Sequence, residues 1–195
     1  VHYDARPLQR RALDVVNGLI AVRAVPSEAL KAEQPARFQD KTVVLHNPLP
    51  LDGFIRAGAT APAAPPMLLC LGKFRPEKGQ GVLVDAFAQI ADQFPNWRLR
   101  LPGDGPLFAT VEAQIAKLGL TDKVELPGMV SDVAGEYARA SLVAMPSDYE
   151  AAPMVAAEAM ASARPLVAFA DCLGARSLIT DGTDGVLVDP GADRA

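Results

Sequence analysis

The chain has 195 residues, half of them hydrophobic and 22% charged, with a mean hydropathy of +0.13, an ordinary globular composition for one full domain plus part of another. A formal net charge of −4 and a pI near 5.2 carry no polyelectrolyte signature, which argues against nucleic acid as a partner. No apolar run approaches the ~20 residues of a membrane-spanning helix, and no signal peptide is visible, although the chain begins at Val1 and not at a methionine. The two cysteines, Cys70 in an apolar run and Cys172 in a loop, lack metal-like spacing and are expected as reduced cytosolic thiols.

In chain order, Arg6 to Leu19 reads as an amphipathic helix, with Leu8, Leu13, Val16 and Leu19 opposite Arg6, Arg10 and Arg11. Ile20 to Val25 reads as a strand, and Ser27 as the N-cap of a helix from Glu28 to about Arg37. Thr42 to His46 is a further short β run. These pieces are too few for an independent core. Residues 47–66 are rich in Asn-Pro, Pro-Leu-Asp-Gly and Ala-Pro sequences, so a linker is expected there. Residues 1–46 are then the end of one domain and residues 67–195 most of another.

Beyond the linker, strands and helices alternate. Strands are expected at Met67–Leu71, Trp97–Leu101, Lys123–Leu126, Ser141–Met145, Leu166–Phe169 and Val186–Val188. Helices are expected over Gln80–Phe94, Leu107–Leu118, Ser131–Arg139 and Pro153–Ala163, with a short one near Arg176–Thr180. Such alternation calls for an α/β fold, a Rossmann-like parallel sheet with right-handed crossovers and helices on both faces, preceded by a partial α/β segment. The sequence stops shortly after a strand, and both ends are expected to be cut.

One stretch organises the chemistry, Pro146-Ser147-Asp148-Tyr149-Glu150 and the helix beginning at Pro153. A strand leads into a short polar turn and then a helix start, at the sheet edge where α/β folds bind ligands. That helix start is a ready anion site. Glu150 precedes the helix, and Glu158 follows two turns in among Val155, Ala156, Ala157, Ala159 and Met160. A carboxylate in apolar company must find a partner or its pKa rises; ligand hydroxyls could be that partner, while an exposed helix-face glutamate is the plain alternative.

Three further turns open on the same edge. Gly72-Lys73-Phe74-Arg75-Pro76-Glu77-Lys78-Gly79 sets cations beside glycines, and lysine serves phosphate as a compact point charge. Gly103-Asp104-Gly105-Pro106 lets a ligand approach the backbone, or is simply a tight turn. Gly128-Met129-Val130-Ser131-Asp132 offers main-chain groups to a flat base, or Ser131 or Asp132 merely caps a helix. No G-x-G-x-x-G dinucleotide pattern follows any strand. Metal and Ser–His–Asp chemistry find little support, because His2 and His46 stand alone and outside the α/β unit.

Taken together and in order, Gly72 to Gly79, Gly103 to Pro106 and Pro146 to Ala161 resemble the C-terminal, donor-binding half of a GT-B glycosyltransferase of the retaining family 4, whose patterns are G-R-x-x-x-x-K-G, G-x-G-P and P-S-x-x-E-x7-E-A-M-A. Val25 to Lys31 and His46-Asn47-Pro48 resemble the end of that family's N-terminal domain. The resemblance implies that Lys73 and Lys78 hold the diphosphate of a nucleotide sugar and that Glu150 contacts the transferred sugar. It implies that Ala151, Ala152, Pro153 and Met154 line the sugar-phosphate pocket beside Gly72, Gly103 and Asp104. Glu158 would take the ribose hydroxyls, and Met129 and Val130 would border the base. No metal and no cofactor beyond the donor are implied, with UDP the leading nucleotide.

Three positions depart from the pattern: Lys73 for the usual arginine, Ala151 for a frequent glycine, and Ser177 where glutamate is common. The expectation is sugar transfer to a sugar, lipid-linked or small-molecule acceptor in cytoplasmic glycan assembly, with peripheral membrane association of the full-length protein among the options. The 195-residue chain alone is expected to bind nucleotide without turnover. A catalytically inactive binding or scaffolding module is the alternative, and a nucleotide-sugar epimerase a weaker one.

Overall fold

In the computed structural model, which describes residues 21–62 and 64–191, the chain divides into two units, residues 1–46 and 47–195. The helix expected over Arg6–Leu19 and the strand start at Ile20 lie outside the described residues. The first unit holds a parallel pair, β1 (Arg23–Val25) and β2 (Thr42–Val44), with α1 (Glu28–Ala32) and α2 (Ala36–Gln39) between them. Ser27 caps α1, its Oγ accepting from the Leu30 N–H at 3.2 Å. The single helix expected over Glu28–Arg37 is thus two. Pro35 breaks it, because a proline has no N–H for the helical ladder and pushes the preceding residue out of helical geometry.

The second unit begins with α3 (Leu51–Gly58), followed by β3 (Met67–Leu69), a 3₁₀ turn (Pro76–Lys78), α4 (Gln80–Ile90), β4 (Arg98–Arg100) and α5 (Phe108–Lys117). It continues through β5 (Val124–Glu125), α6 (Val133–Arg139), β6 (Leu142–Met145), α7 (Met154–Ala161), β7 (Leu166–Phe169), α8 (Leu173–Leu178) and β8 (Gly185–Val188). The strands form one six-stranded sheet in the order β5-β4-β3-β6-β7-β8, all pairs parallel. This is the α/β, Rossmann-like sheet that the alternation predicts. The order reverses between β3 and β6, so the loops after those two strands diverge and leave a crevice at the carboxyl edge.

Alternation along each strand sends side chains to both faces. Leu68, Cys70, Leu99 and Ala144 pack with Val84 and Phe87 of α4 and with Val111 and Ile115 of α5. Leu69, Val143, Met145 and Leu166 pack with Tyr137 of α6 and with Ala156 and Ala159 of α7. No described helix is long and apolar enough to cross a membrane.

Three elements differ from expectation. The stretch 47–66, read as linker, carries α3, whose Phe54 and Ala57 are buried. The Phe54 ring meets the Tyr137 ring edge-on at 5.7 Å, and this burial outweighs the Asn-Pro and Asp-Gly turn signals. The short helix expected near Arg176–Thr180 lies earlier, at Leu173–Leu178. Pro153 sits at the N-cap of α7 and not at its first helical position.

Arg164, just beyond α7, is buried and donates to the carbonyls of Ala57 and Thr60 at the end of α3 and of Tyr137 and Ala138 at the end of α6. Helix C-termini offer unpaired carbonyls and a negative dipole end, so a cation suits this place. Its burial holds the guanidinium below the usual arginine range.

Candidate functional site

The loops after β3 and β6 meet at the switch point. β6 is almost wholly apolar, and its end releases Pro146 and Ser147 at the sheet edge. Lys78 closes the 3₁₀ turn, whose last N–H groups are taken by Arg75 and Pro76 carbonyls, and Gly79 follows in left-handed geometry with φ 67°. This brings Lys78 Nζ to 2.5 Å from Glu150 Oε1, and Ser147 Oγ donates to the same oxygen at 3.0 Å. The Asp148 N–H donates to the Glu77 carbonyl at 2.9 Å, fastening one loop to the other. The side chains of Lys78 and Glu150 are 28% and 16% exposed, so the pair is reachable yet partly desolvated and charge-assisted.

Behind the pair, Cys70 is buried. Burial pushes its thiol up to about 12 against the opposing pull of Lys78, so it is no nucleophile near neutrality.

Glu150 is also held from the far side. The Gly174 N–H, in the first turn of α8, donates to the Glu150 carbonyl at 2.9 Å. A Cβ at Gly174 would stand 2.4 Å from that carbonyl oxygen and 2.7 Å from Pro153 Cδ, so only glycine lets α8 approach this closely. Ala151 and Ala152 lie half-buried between Glu150 and the start of α7. Pro153 brings no side-chain acceptor to the α7 N-cap, and Met154 opens the helix. A helix start capped by no side chain keeps its positive end for an anion.

Glu158 lies in the middle of α7 and makes a different set of contacts. Tyr137, fully buried on α6, donates its phenol to Glu158 Oε2 at 2.7 Å. Burial raises the Glu158 carboxyl above the usual range, and the Tyr137 hydrogen bond partly offsets this. The phenol itself is raised, by burial and then by the Glu158 charge, so it stays protonated and donates.

The remaining expected residues line the same edge. Gly72 N–H donates to the Pro102 carbonyl at 3.1 Å, and Gly103 N–H to the Gly128 carbonyl at 2.9 Å, so the loops after β3, β4 and β5 stand side by side. Glycine at 103 is accounted for by that packing, since a Cβ there would lie 1.9 Å from the Gly72 carbonyl oxygen. Asp104 is exposed; its carbonyl accepts from Phe74 N–H at 2.9 Å and its Oδ1 from Gly105 N–H at 2.7 Å. Lys73 is exposed, with its carbonyl accepting from Gln80 Nε2 at 3.0 Å. Met129 is 79% exposed at the head of its loop, Val130 is half-buried, and Asp132 caps α6 by accepting from Gly135 N–H at 2.9 Å. Ser177 spends its hydroxyl on the Gly174 carbonyl at 2.8 Å.

Lys78, Glu150 and the α7 start are thus brought together, while Glu158 stands apart with a phenol. Ser147, Tyr137 and Gly174 are the members that sequence reasoning passed over. Ser147 sat inside a recognised turn, but its role depends on Glu150 turning back. Tyr137 and Gly174 gave no signal beyond a helix aromatic and a loop glycine.

The profile of the family described as Glycosyl transferases group 1 matches residues 53–195. The chain is similar to an exopolysaccharide phosphotransferase of Streptomyces coelicolor, 43% identical over 116 residues, which are 59% of this chain and 12% of that protein. It is similar to the alpha-D-kanosaminyltransferase of Streptomyces kanamyceticus, 35% identical over 127 residues, 64% of this chain and 33% of that protein. Among solved structures, Anabaena HepE in complex with UDP-glucose superposes with a TM-score of 0.76 at 26% identity, covering 95% of this chain and 54% of that one. The chain therefore spans only part of the length of the proteins it matches. The matched region takes in every loop of the site, and the chain belongs to the glycosyl transferases group 1 family.

Proposed function

We propose that the second unit is the donor site of a retaining, metal-independent glycosyltransferase of family 4, which moves a sugar from a nucleoside diphosphate to a hydroxyl acceptor. The observation that carries this reading is the Lys78–Glu150–Ser147 cluster beside the α7 start, at the switch point of a parallel sheet.

Lys78, with Lys73 from the rim, takes the diphosphate together with the first turn of α7. Glu150 accepts hydrogen bonds from sugar hydroxyls, and Ala151 and Ala152 line the sugar-phosphate pocket, Ala151 narrowing the room beside the sugar relative to a glycine. Glu158 receives the ribose hydroxyls, and Met129 and Val130 border the base. In the reaction the bond between the anomeric carbon and the phosphate oxygen breaks as the acceptor oxygen bonds to that carbon. The departing phosphate takes up the acceptor proton. Negative charge thus grows on the diphosphate, where a fixed cation and a helix dipole stabilise it most. UDP is the nucleotide we favour, since Anabaena HepE is seen with UDP-glucose.

Calorimetric titration of the chain with UDP, GDP and ADP tests this. One nucleotide is expected to bind, and Lys78→Ala and Glu158→Ala each to weaken it at least tenfold, with no sugar transfer by the 195-residue chain alone. A folded chain that binds none of the three overturns the donor-site reading.

A further inference from the structure

We propose that Tyr137 is a positioning residue of the donor site, acting through Glu158 to fix the orientation of its carboxylate towards the ribose. This rests on the donor-site reading above and adds to it a residue outside the loops.

The geometry is specific. Tyr137 is held at three points: its ring stands edge-on to Phe54 at 5.7 Å, its carbonyl accepts from Arg164 Nε at 2.9 Å, and the side chain is fully buried. A phenol fixed in this way can deliver its one proton only within a small arc. It delivers it to Glu158 Oε2 at 2.7 Å, while the alternative acceptor, the Val155 carbonyl, lies at 3.4 Å. A glutamate on a helix of small residues has three free torsions and would otherwise sample several rotamers. Tying Oε2 to the phenol restricts the carboxylate to few poses and leaves Oε1 as the oxygen not engaged by the phenol.

The phenol also favours the charged form of Glu158 against the burial that opposes it. Few other groups enter that balance. Asp52 and Arg56 of α3 and Arg176 of α8 are exposed, Glu136 of α6 is paired with Arg100 and with Arg139 of the same helix, and β6 and β7 carry no ionisable residue. Cys70 acts only on the phenol, and the Arg164 guanidinium is spent on carbonyls.

The test is Tyr137→Phe, which keeps the ring and its contact with Phe54 while deleting the hydroxyl. UDP and 2′,3′-dideoxy-UDP are titrated into the unsubstituted chain, Tyr137→Phe and Glu158→Gln, each at pH values from 5.5 to 8.5, with circular dichroism and thermal melting as controls for folding. Tyr137→Phe is expected to weaken UDP about tenfold and the dideoxy nucleotide hardly at all, as a hydrogen bond to a charged group should. The acid limb of UDP binding is expected to move to higher pH, because Glu158 loses the contact that lowers its pKa. Equal weakening of both nucleotides, or an unmoved acid limb, overturns the proposal in favour of a packing role. If UDP binding survives Tyr137→Phe but falls in Glu158→Gln, the proposal fails alone. If the unsubstituted chain binds neither nucleotide, the donor-site reading fails, and the proposal with it.

Discussion

Glu150 and Glu158, with seven residues between them, lie on either side of one helix start, yet the fold gives them opposite surroundings. Glu150 stands on a loop among polar groups, with a lysine and a hydroxyl on the same oxygen. Glu158 is half-buried beside a layer of aliphatic and aromatic side chains and accepts from a phenol. Two carboxylates of like chemistry are thereby suited to different tasks. One carboxylate is charge-compensated by a cation and a hydroxyl; the other is held by a phenol against a burial that opposes its charge. On the proposed reading the loop half of the site is expected to govern turnover and diphosphate binding, and the scaffold half to govern stability and the hold on the ribose.

The sharpest way to break that contrast is Glu150→Ala, assayed for the proposed sugar transfer. It is expected to lower kcat for sugar transfer by about 10²- to 10³-fold, the range of one lost electrostatic contact to a transition state. Melting temperature is expected to change little, because Lys78 is partly exposed and can turn to water. Undiminished transfer would show that the carboxylate has no part in the chemistry, whereas no transfer by the unsubstituted protein would favour a binding module.

The scaffold half predicts the reverse pattern. Arg164→Met would remove a donor from four carbonyls at the ends of α3 and α6, of which those of Ala57 and Tyr137 keep a backbone N–H and those of Thr60 and Ala138 lose their side-chain partner. We expect a loss of about 2–4 kcal/mol in denaturant unfolding, from groups that cannot all reach water. Unfolding unchanged by this substitution would mean that α3 is only loosely docked.

Between these lies Gly174→Ala. The added methyl would collide with the Glu150 carbonyl and the Pro153 ring, at a cost of about 1–3 kcal/mol. Because the collision falls on Glu150 itself, transfer is expected to drop about tenfold more than the change in stability explains. Parallel loss of both would place Gly174 in the scaffold and not in the site.

The sequence made the order of elements legible because burial there is periodic: apolar strands such as Leu142–Met145 and Leu166–Phe169 are separated by helices whose apolar faces repeat with helical spacing. It also made Lys78, Glu150 and the α7 start legible, since βα loops of a parallel sheet must share one edge. Contacts between residues distant along the chain were not legible. Tyr137 and Glu158 are 21 residues apart, and Arg164 reaches carbonyls 104 and 107 residues away. α3 was misread for a related reason: Gly53 and its neighbouring prolines speak for a turn, and only burial of Phe54 against Tyr137 tips the segment into a helix.

The smallest expected effect tests the scaffold carboxylate directly. Burial raises the Glu158 pKa in the folded chain above the value of 4.5 for an unperturbed glutamate. In the window between those two values the folded chain binds more protons than the unfolded one, so its stability falls as pH rises through the folded pKa. At neutral pH the folded chain therefore holds a carboxylate that works against folding. Glu158→Gln keeps an acceptor for Tyr137 and removes the charge, and should raise the neutral-pH melting temperature by about 1–3 °C. The gain should fade as pH is lowered past the Glu158 pKa, where the native carboxyl is neutral as well. Nucleotide affinity should fall in the same variant, because the neutral amide is a poorer partner for ribose hydroxyls. A rise in stability with a loss of affinity would identify Glu158 as a residue kept for binding at the expense of the fold. A fall in both would mean that its charge has a stabilising partner in the folded chain.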